Sequence, residues 1–290
     1  MAQVLAVPGD VRHGFSYICQ FNHDFGRITG IAATIKGNIL LGDYVKKNLI
    51  LVDPLGNYLQ KLDVDSEPYD LAITSQNIGY ITQPNSRTVL QIDPDRMMVL
   101  FKATCNELNT TVFCVSAVSN TERDFPKNVP CYLGVNNRGM SYKVPVKYEN
   151  ISLTDVTKYP KIGTRAVKFH VMAMHERTYL SCIGGQNYIT YNDTFNDKQG
   201  IVADITTIDT PTDICSDDYG HIYVSGQGSN NIHRLTYSFY IIKHGCKVLD
   251  IPLDSQHGIK EPVALCFNHD YSKLYIVNEW GKSVLVFDVV

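Results

Sequence analysis

The chain has 290 residues, is 44% hydrophobic, and sets 26 basic against 29 acidic side chains for a formal net charge of -3. Near-balance argues against an unspecific nucleic-acid binder whose affinity comes from neutralising phosphates, though it leaves room for a local basic patch; no DNA partner is expected. No apolar run is as long as a membrane-spanning helix, and the opening MAQVLAVPGDVRHGF lacks the basic region and long apolar core of a secretory signal. The expectation is a cytoplasmic protein with no membrane partner.

In chain order, the first strand-like run is FSYICQF, Phe15–Phe21. A strand over Ile28–Ile35 follows, then Asn38–Gly42, a polar loop Asp43–Asn48, a strand Leu49–Asp53, a turn Pro54–Asn57 and a further strand from Tyr58. Two apolar runs across a short polar loop, then Asp-Pro-x-Gly, form a β-meander signal. Asp favours the first turn position, Pro fixes φ at the next, and Gly tolerates positive φ. The pattern recurs: Tyr69–Thr74, Ile78–Thr82, the loop Gln83–Ser86, Arg87–Ile92, an Asp93-Pro94 turn and Met97–Lys102. The offset between the two units is about 40 residues, the period of a four-stranded propeller blade.

A third unit is degenerate. Val112–Val118 opens it, an insertion Ser119–Asn128 follows, then Val129–Val135, Gly139–Val144 and an outer strand within Val146–Leu153. The fourth has Ala166–Met174, Thr178–Ile183, Asn187–Asn192 and Gly200–Ile205. The fifth runs from Pro211 to Tyr237 and on through YIIKHGCKVLDI, and the sixth runs from Glu261 to Asp288 with three strands. A missing fourth strand leaves an open edge, which proteins avoid. Phe15–Phe21 is spare and can pair outside Ser283–Asp288. The reading is all-β, one domain over residues 1–290: a six-bladed β-propeller of four-stranded blades (28–64, 69–102, 112–153, 166–205, 211–251 and 261–288 with 15–21).

The order Gly, apolar strand, Asp, polar loop, Asn, apolar strand, Asp-x-x-Gly, Tyr-Leu within Gly37–Tyr58 resembles the NHL-repeat consensus. Asn231-Ile232-His233-Arg234-Leu235 is similar at the same place, whereas Ser283 stands where the sixth unit would have the Asn. The third and fourth units match poorly. As a set, the units resemble the C-terminal NHL domain of tripartite-motif proteins, particularly divergent invertebrate ones. That resemblance implies a domain that recruits substrates for a ubiquitin ligase, or one that binds single-stranded RNA. The chain has no zinc-ligand spacing and no heptads, so ligase chemistry is not assigned to it.

Residues for catalysis are not evident. The eight cysteines (Cys19, Cys105, Cys114, Cys131, Cys182, Cys215, Cys246, Cys266) form no CxxC pair and mostly sit in apolar runs, as buried reduced thiols do. The sequons at Asn109, Asn150 and Asn192 carry no meaning in a cytosolic protein. None of the nine histidines forms HxH or HExxH; His170 falls on an inner strand, and His221 and His233 lie on adjacent strands. There is no phosphate loop and no G-x-S-x-G elbow. Asp70 and Asp213 recur at inner-strand starts, where a calcium-dependent hydrolase propeller would place oxygen ligands. Two are few for such a site, and an Asp at a strand start commonly bonds nearby backbone. No catalytic residue, metal or cofactor is expected.

Binding is the leading class. The loops from second to third strands, and those entering each blade, share one face of a propeller and are held by the strands beneath. They offer Arg27, Tyr44, Lys46, Tyr69, Arg87, Arg138, Arg165, Gln227, Trp280 and Lys282. Aromatic and Arg side chains are the usual hot spots of interfaces. The expected partner is a protein or peptide, met by a monomeric domain. The alternative is single-stranded RNA on the same basic and aromatic face, with Asp43 and Glu279 opposing it. A second alternative is a small ligand or a metal-dependent hydrolase.

Overall fold

Strands two and three of the first repeat are apolar on both faces. ILLGD (39–43) and NLILV (48–52) are buried at every position. An alternating strand would cover one layer, but these must be covered on both sides. Packing such sheets face to face around a ring satisfies that need. The computed structural model describes residues 13–105, 110–117, 131–146, 159, 161–164, 166–171, 178–183, 185–193, 198–238 and 245–290.

These residues form six antiparallel sheets of four strands. Blade one holds β2 (Ile28–Ala33), β3 (Ile39–Asp43), β4 (Asn48–Val52) and β5 (Tyr58–Asp63). Blade two holds β6 (Asp70–Ile73), β7 (Gly79–Gln83), β8 (Thr88–Asp93) and β9 (Met98–Thr104). Blade three holds β10 (Thr110–Ala117), β11 (Cys131–Asn137), β12 (Met140–Val146) and β13 (Lys161–Thr164). Blade four holds β14 (Ala166–Val171), β15 (Thr178–Ile183), β16 (Tyr188–Asp193) and β17 (Lys198–Asp204). Blade five holds β18 (Pro211–Ser216), β19 (Ile222–Gly226), β20 (Asn231–Ser238) and β21 (Gly245–Leu253). Blade six is β22 (Ala264–Phe267), β23 (Lys273–Asn278) and β24 (Ser283–Val289), completed by β1 (Phe15–Phe21).

The six first strands touch in a closed cycle, with β22 returning to β2. A buried apolar cluster fills each blade–blade seam. Leu40 and Leu51 meet Leu71, Ile81 and Ile92 between blades one and two. Ile39 and Ile50 meet Tyr275 and Val286 between blades one and six. The architecture is the expected six-bladed propeller, with one boundary corrected. The outer strand of blade three is Lys161–Thr164, not a strand within Val146–Leu153; Val146 ends β12 instead. The fourth strand of this blade therefore comes later in the chain than residue 153. The insertion 119–128 lies outside the described residues. Among the described residues no helix is long and apolar enough to cross a membrane.

Closure follows the expected route. β1 runs antiparallel to β24, from Phe15↔Val289 to Phe21↔Val284, with one bulge between Tyr17 and Cys19. Gly14 and Val290 exchange backbone hydrogen bonds of 2.7 and 3.0 Å. Phe15 packs edge-on against Tyr223 at 5.8 Å, and Arg234 donates to the His13 carbonyl at 2.6 Å. The Asp53 turn also forms as expected. Its carboxylate accepts from the Leu55 and Asn57 amides at 2.9 and 2.8 Å, and Gly56 takes φ +89. A Cβ at Gly56 would sit 2.2 Å from the Phe21 ring, so this turn also leaves room for β1.

Deleting residues 1–21 removes β1 and exposes the edge of β24. The expected outcome is loss of a single cooperative thermal transition and concentration-dependent aggregation, read by calorimetry and size-exclusion chromatography. A truncated chain that melts at the temperature of the intact one would contradict the closure.

Candidate functional site

The channel is crossed by one buried ion cluster. Asp70 begins β6 and Asp213 lies in β18, so the two come from opposite blades of a six-membered ring. Their surroundings repeat. The Asp70 amide donates to Thr82 Oγ1 at 3.1 Å, as the Asp213 amide donates to Ser225 Oγ at 2.9 Å. Each Oδ1 accepts the next amide in the chain, from Leu71 or Ile214, at 2.8 Å. Each Oδ2 accepts an amide of the following blade at 2.9 Å, from Val115 or Leu265. Lys168 of β14 then places Nζ 2.5 Å from Asp70 Oδ1 and 3.2 Å from Asp213 Oδ1.

The backbone-bonding role foreseen for the two aspartates is therefore present, and a cation joins them. Burial opposes the charge of Lys168, but Asp213 and Asp70 outweigh it and hold the ammonium above the usual lysine range. Burial, against the pull of Lys168 and with the push of Asp213, raises Asp70. Two carboxylates thus share one ammonium, with backbone amides meeting the remaining lone pairs. Among the described residues no three His, Cys, Asp or Glu side chains converge as metal ligands.

Above this cluster lies the loop face. A cleft of about 520 Å³ opens there, lined by Arg27, Tyr44, Tyr69, Asn85 and Phe113. A second of about 200 Å³ reaches Lys168 and shares Arg27, Thr29 and Tyr69 with the first; Gln227 lines its wall. Burial raises the Tyr69 phenol, which keeps it a neutral donor. Asn85 donates to the Tyr44 hydroxyl at 2.9 Å and to Glu67 at 3.2 Å.

The loop that begins this face is built by Asp43. Its buried carboxylate accepts the amides of Gly26, Arg27 and Lys46 at 2.7, 3.1 and 3.0 Å. A Cβ at Gly26 would lie 2.7 Å from Asp43 Oδ1, so glycine is needed there. From the neighbouring blade, Trp280 lays its ring against the Arg27 guanidinium, 4.5 Å from centroid to Cζ. Such a contact contributes about 0.5–1 kcal/mol at an exposed site. The Trp280 loop is strained to do this: Glu279 and Trp280 have φ 52 and 57 and Gly281 has φ 89. A Cβ at Gly281 would stand 2.4 Å from the Ile28 carbonyl oxygen, so the loop lies flush on β2.

Five of the ten expected side chains therefore gather: Arg27, Tyr44, Tyr69, Gln227 and Trp280. Lys46 instead donates to the Asp24 carboxylate at 2.7 Å and to its carbonyl, and Lys282 donates to the Gly26 carbonyl at 2.5 Å. Their charges tie loops down. Arg87 and Arg138 are exposed at left-handed positions, φ 56 and 51, and line neither cleft. Arg165 lies outside the described residues. His233 lies in β20 opposite Val224, whereas His221 precedes β19, so the two are not the neighbours on adjacent strands that were expected. Seven cysteines are free thiols, and the Cys246 side chain lies outside the described residues.

Lys168 and Phe113 were not foreseen at this face. For Lys168 a signal existed: Val-Lys-Phe-His aligns with Tyr-Asp-Leu-Ala and Thr-Asp-Ile-Cys, placing a cation at the repeat position of the two aspartates. Pairing registers agree, since Asp70, Lys168 and Asp213 each oppose the penultimate residue of the second strand, Thr82, Cys182 and Ser225.

No protein-family model matches the chain, and no curated protein matches it in sequence. Its fold is similar to a streptogramin B lyase at 11% identity and TM-score 0.62, over 95% of this chain and 98% of that one. It is also similar to a luciferin-regenerating enzyme, at 10% identity and TM-score 0.66, over 96% and 95%. A chain of a mitotic checkpoint complex superposes with TM-score 0.64 at 9% identity, over 99% and 96%. At such identities the likeness concerns the six-bladed ring alone.

Two expected outcomes follow from the buried groups. Lys168→Met leaves two buried carboxylates without their cation and should cost about 3–5 kcal/mol by urea denaturation. Adding Asp70→Asn and Asp213→Asn to it should restore much of the loss; equal stability of the single variant and wild type would contradict the cluster. Burial also lowers His170 and His233 to about 4. His233 makes a 2.8 Å contact with Thr207 through Nε2, and its buried Nδ1 has no partner. A base with a lowered folded pKa is neutral in the native state while the unfolded chain takes up the proton. Its contribution is complete above the ordinary value of 6.5 and declines as pH falls toward about 4. The expected slope is about 1.4 kcal/mol per pH unit for each such histidine. Melting temperatures of wild type and His233→Gln between neutral pH and pH about 4.5 should converge on acidification.

Proposed function

We propose that this chain is a non-catalytic binding platform that holds a protein or peptide segment across its loop face. The observation that carries the reading is the open cleft in which Arg27, braced by Trp280, stands beside Tyr44 and Tyr69. These are anchor residues of interfaces, set on loops whose backbone is held by Asp43 and by Gly281. The channel beneath supports the same reading. Its aspartates are saturated by amides and by Lys168, which leaves them no free lone pair to offer a metal or a substrate. Propellers of this kind also act in assemblies, as the similar chain from a mitotic checkpoint complex illustrates. The resemblance to NHL repeats suggests substrate recruitment for a tripartite-motif ligase as the cellular setting.

RNA binding has less support. Lys46 and Lys282 are held by carbonyls and Asp24, which leaves Arg87, Arg138 and Lys260 as scattered exposed cations of the described loops rather than a continuous basic groove. A small-ligand or metal-dependent hydrolase would require convergent ligands that the described residues do not supply.

The test is selection of a phage-displayed random dodecapeptide library on the intact protein. Peptides should be retained, and Trp280→Ala combined with Arg27→Ala should weaken a selected peptide by tenfold or more at unchanged melting temperature. Unchanged affinity would move the site to another surface. Retention of a fluorescent single-stranded RNA pool at low salt, without peptide retention, would favour the RNA reading.

A further inference from the structure

The loop-face cleft is a receptor for one chemical class, and the charge distribution says which. Among the described residues, Arg27 is the only charged one lining the larger cleft, and Arg27 and Lys168 are the only ones lining the smaller. The nearby carboxylates of the described residues are occupied elsewhere. Asp43 accepts three backbone amides rather than the Arg27 guanidinium. Glu279, beside Trp280, accepts from Ser283 at 2.8 Å and Gln20 at 3.3 Å. Glu67 pairs with Lys47 at 2.9 Å and accepts from Ser66 and Asn85. Asp70 and Asp213 are bridged by Lys168.

The Arg27 guanidinium is thus left without an anion among the described residues, and its buried Nε has no hydrogen-bond partner. A buried donor without a partner is destabilising, so a native protein seldom keeps one without use. Trp280 covers one face of the guanidinium, which orients its planar edge without consuming a donor. A guanidinium so held matches a carboxylate in a two-point contact.

The geometry points to an acidic peptide as the occupant: an Asp or Glu side chain seated on Arg27, with an aromatic or apolar neighbour against Tyr44 and Phe113. This rests on the platform reading and specifies its ligand. A peptide fits better than a polynucleotide because the described lining of the cleft presents one cation beside Tyr44, Tyr69 and Phe113, not a row of cations that would follow a phosphate backbone.

Three fluorescent dodecapeptide pools separate the possibilities: Asp with Tyr, Asn with Tyr, and Lys with Tyr, each in random order. By anisotropy, the intact protein should bind the Asp pool about ten- to a hundredfold tighter than the Asn pool, the range of a charge-assisted hydrogen bond. That comparison alters no residue of the protein. Arg27→Gln should abolish the preference, Arg27→Lys should reduce it several-fold because the fork is lost, and Arg27→Glu should transfer it to the Lys pool. Circular dichroism melts establish that the variants fold. Equal affinity for the Asp and Asn pools, with the phage library still retained, overturns the acidic-ligand inference and leaves the platform standing. Failure to retain any peptide overturns both. Binding of polyuridylate that Arg27→Gln abolishes, without binding of the Asp pool, reassigns Arg27 to a phosphate.

Discussion

Everything in this molecule depends on middle strands that are apolar on both faces. Leu40 and Leu41 are neighbours in β3, point to opposite sides, and are both fully buried. Leu40 packs toward blade two and Leu41 toward blade six. A sheet with two such faces is stable only between two others of its kind, and a row of them ends only by meeting itself. At about 25 cal/mol per Å², seams of this sort supply the bulk of the stabilisation, and no helix layer is needed. The ring also fixes what remains free: outer strands are half in water, inner strands enclose a channel, and the loops spread over the two ends.

Polar chemistry is then confined to the axis and the loop face. At the axis the problem is desolvation. Asp70 and Asp213 each take two backbone amides, one from the blade that follows, so they stitch adjacent blades. Lys168 links the two stitched pairs across the channel. An arrangement of this kind contributes more to uniqueness than to net stability, since a buried pair recovers little beyond its own desolvation. It holds particular blades in register with one another, which six similar apolar seams alone would do less selectively.

The sequence revealed the parts of the fold that repeat. Asp53-Pro54-x-Gly56, the apolar runs around 39–52 and the spare strand at Phe15–Phe21 each carry a local reason for their shape, and all were found where expected. Blade three was misread because its period is broken by long connections, and Val146 looked like a new strand when it closed the old one. At the site, residue types were readable but their employment was not. Lys46 and Lys282 read as free cations, yet carbonyls close in space hold them. Trp280 read as an isolated aromatic; its partner, Arg27, lies at the other end of the chain. Lys168 was hidden because its meaning comes from a charge complementarity between repeats, which is seen only after the units are aligned.

The pairing of β1 with β24 has a consequence in time. The outermost strand of blade six is made first and can be used only last. Until Ser283–Val289 has formed, Phe15–Phe21 has no partner, and the nascent chain must carry Tyr17, Ile18 and Phe21 in the open. Folding therefore cannot finish from one end. It waits on a contact between residues 15–21 and 284–289, far apart in sequence, with a high contact order and a slow last step. A protein built this way is exposed to capture by chaperones, or to exchange of its first strand with another copy, during the interval before the ring shuts.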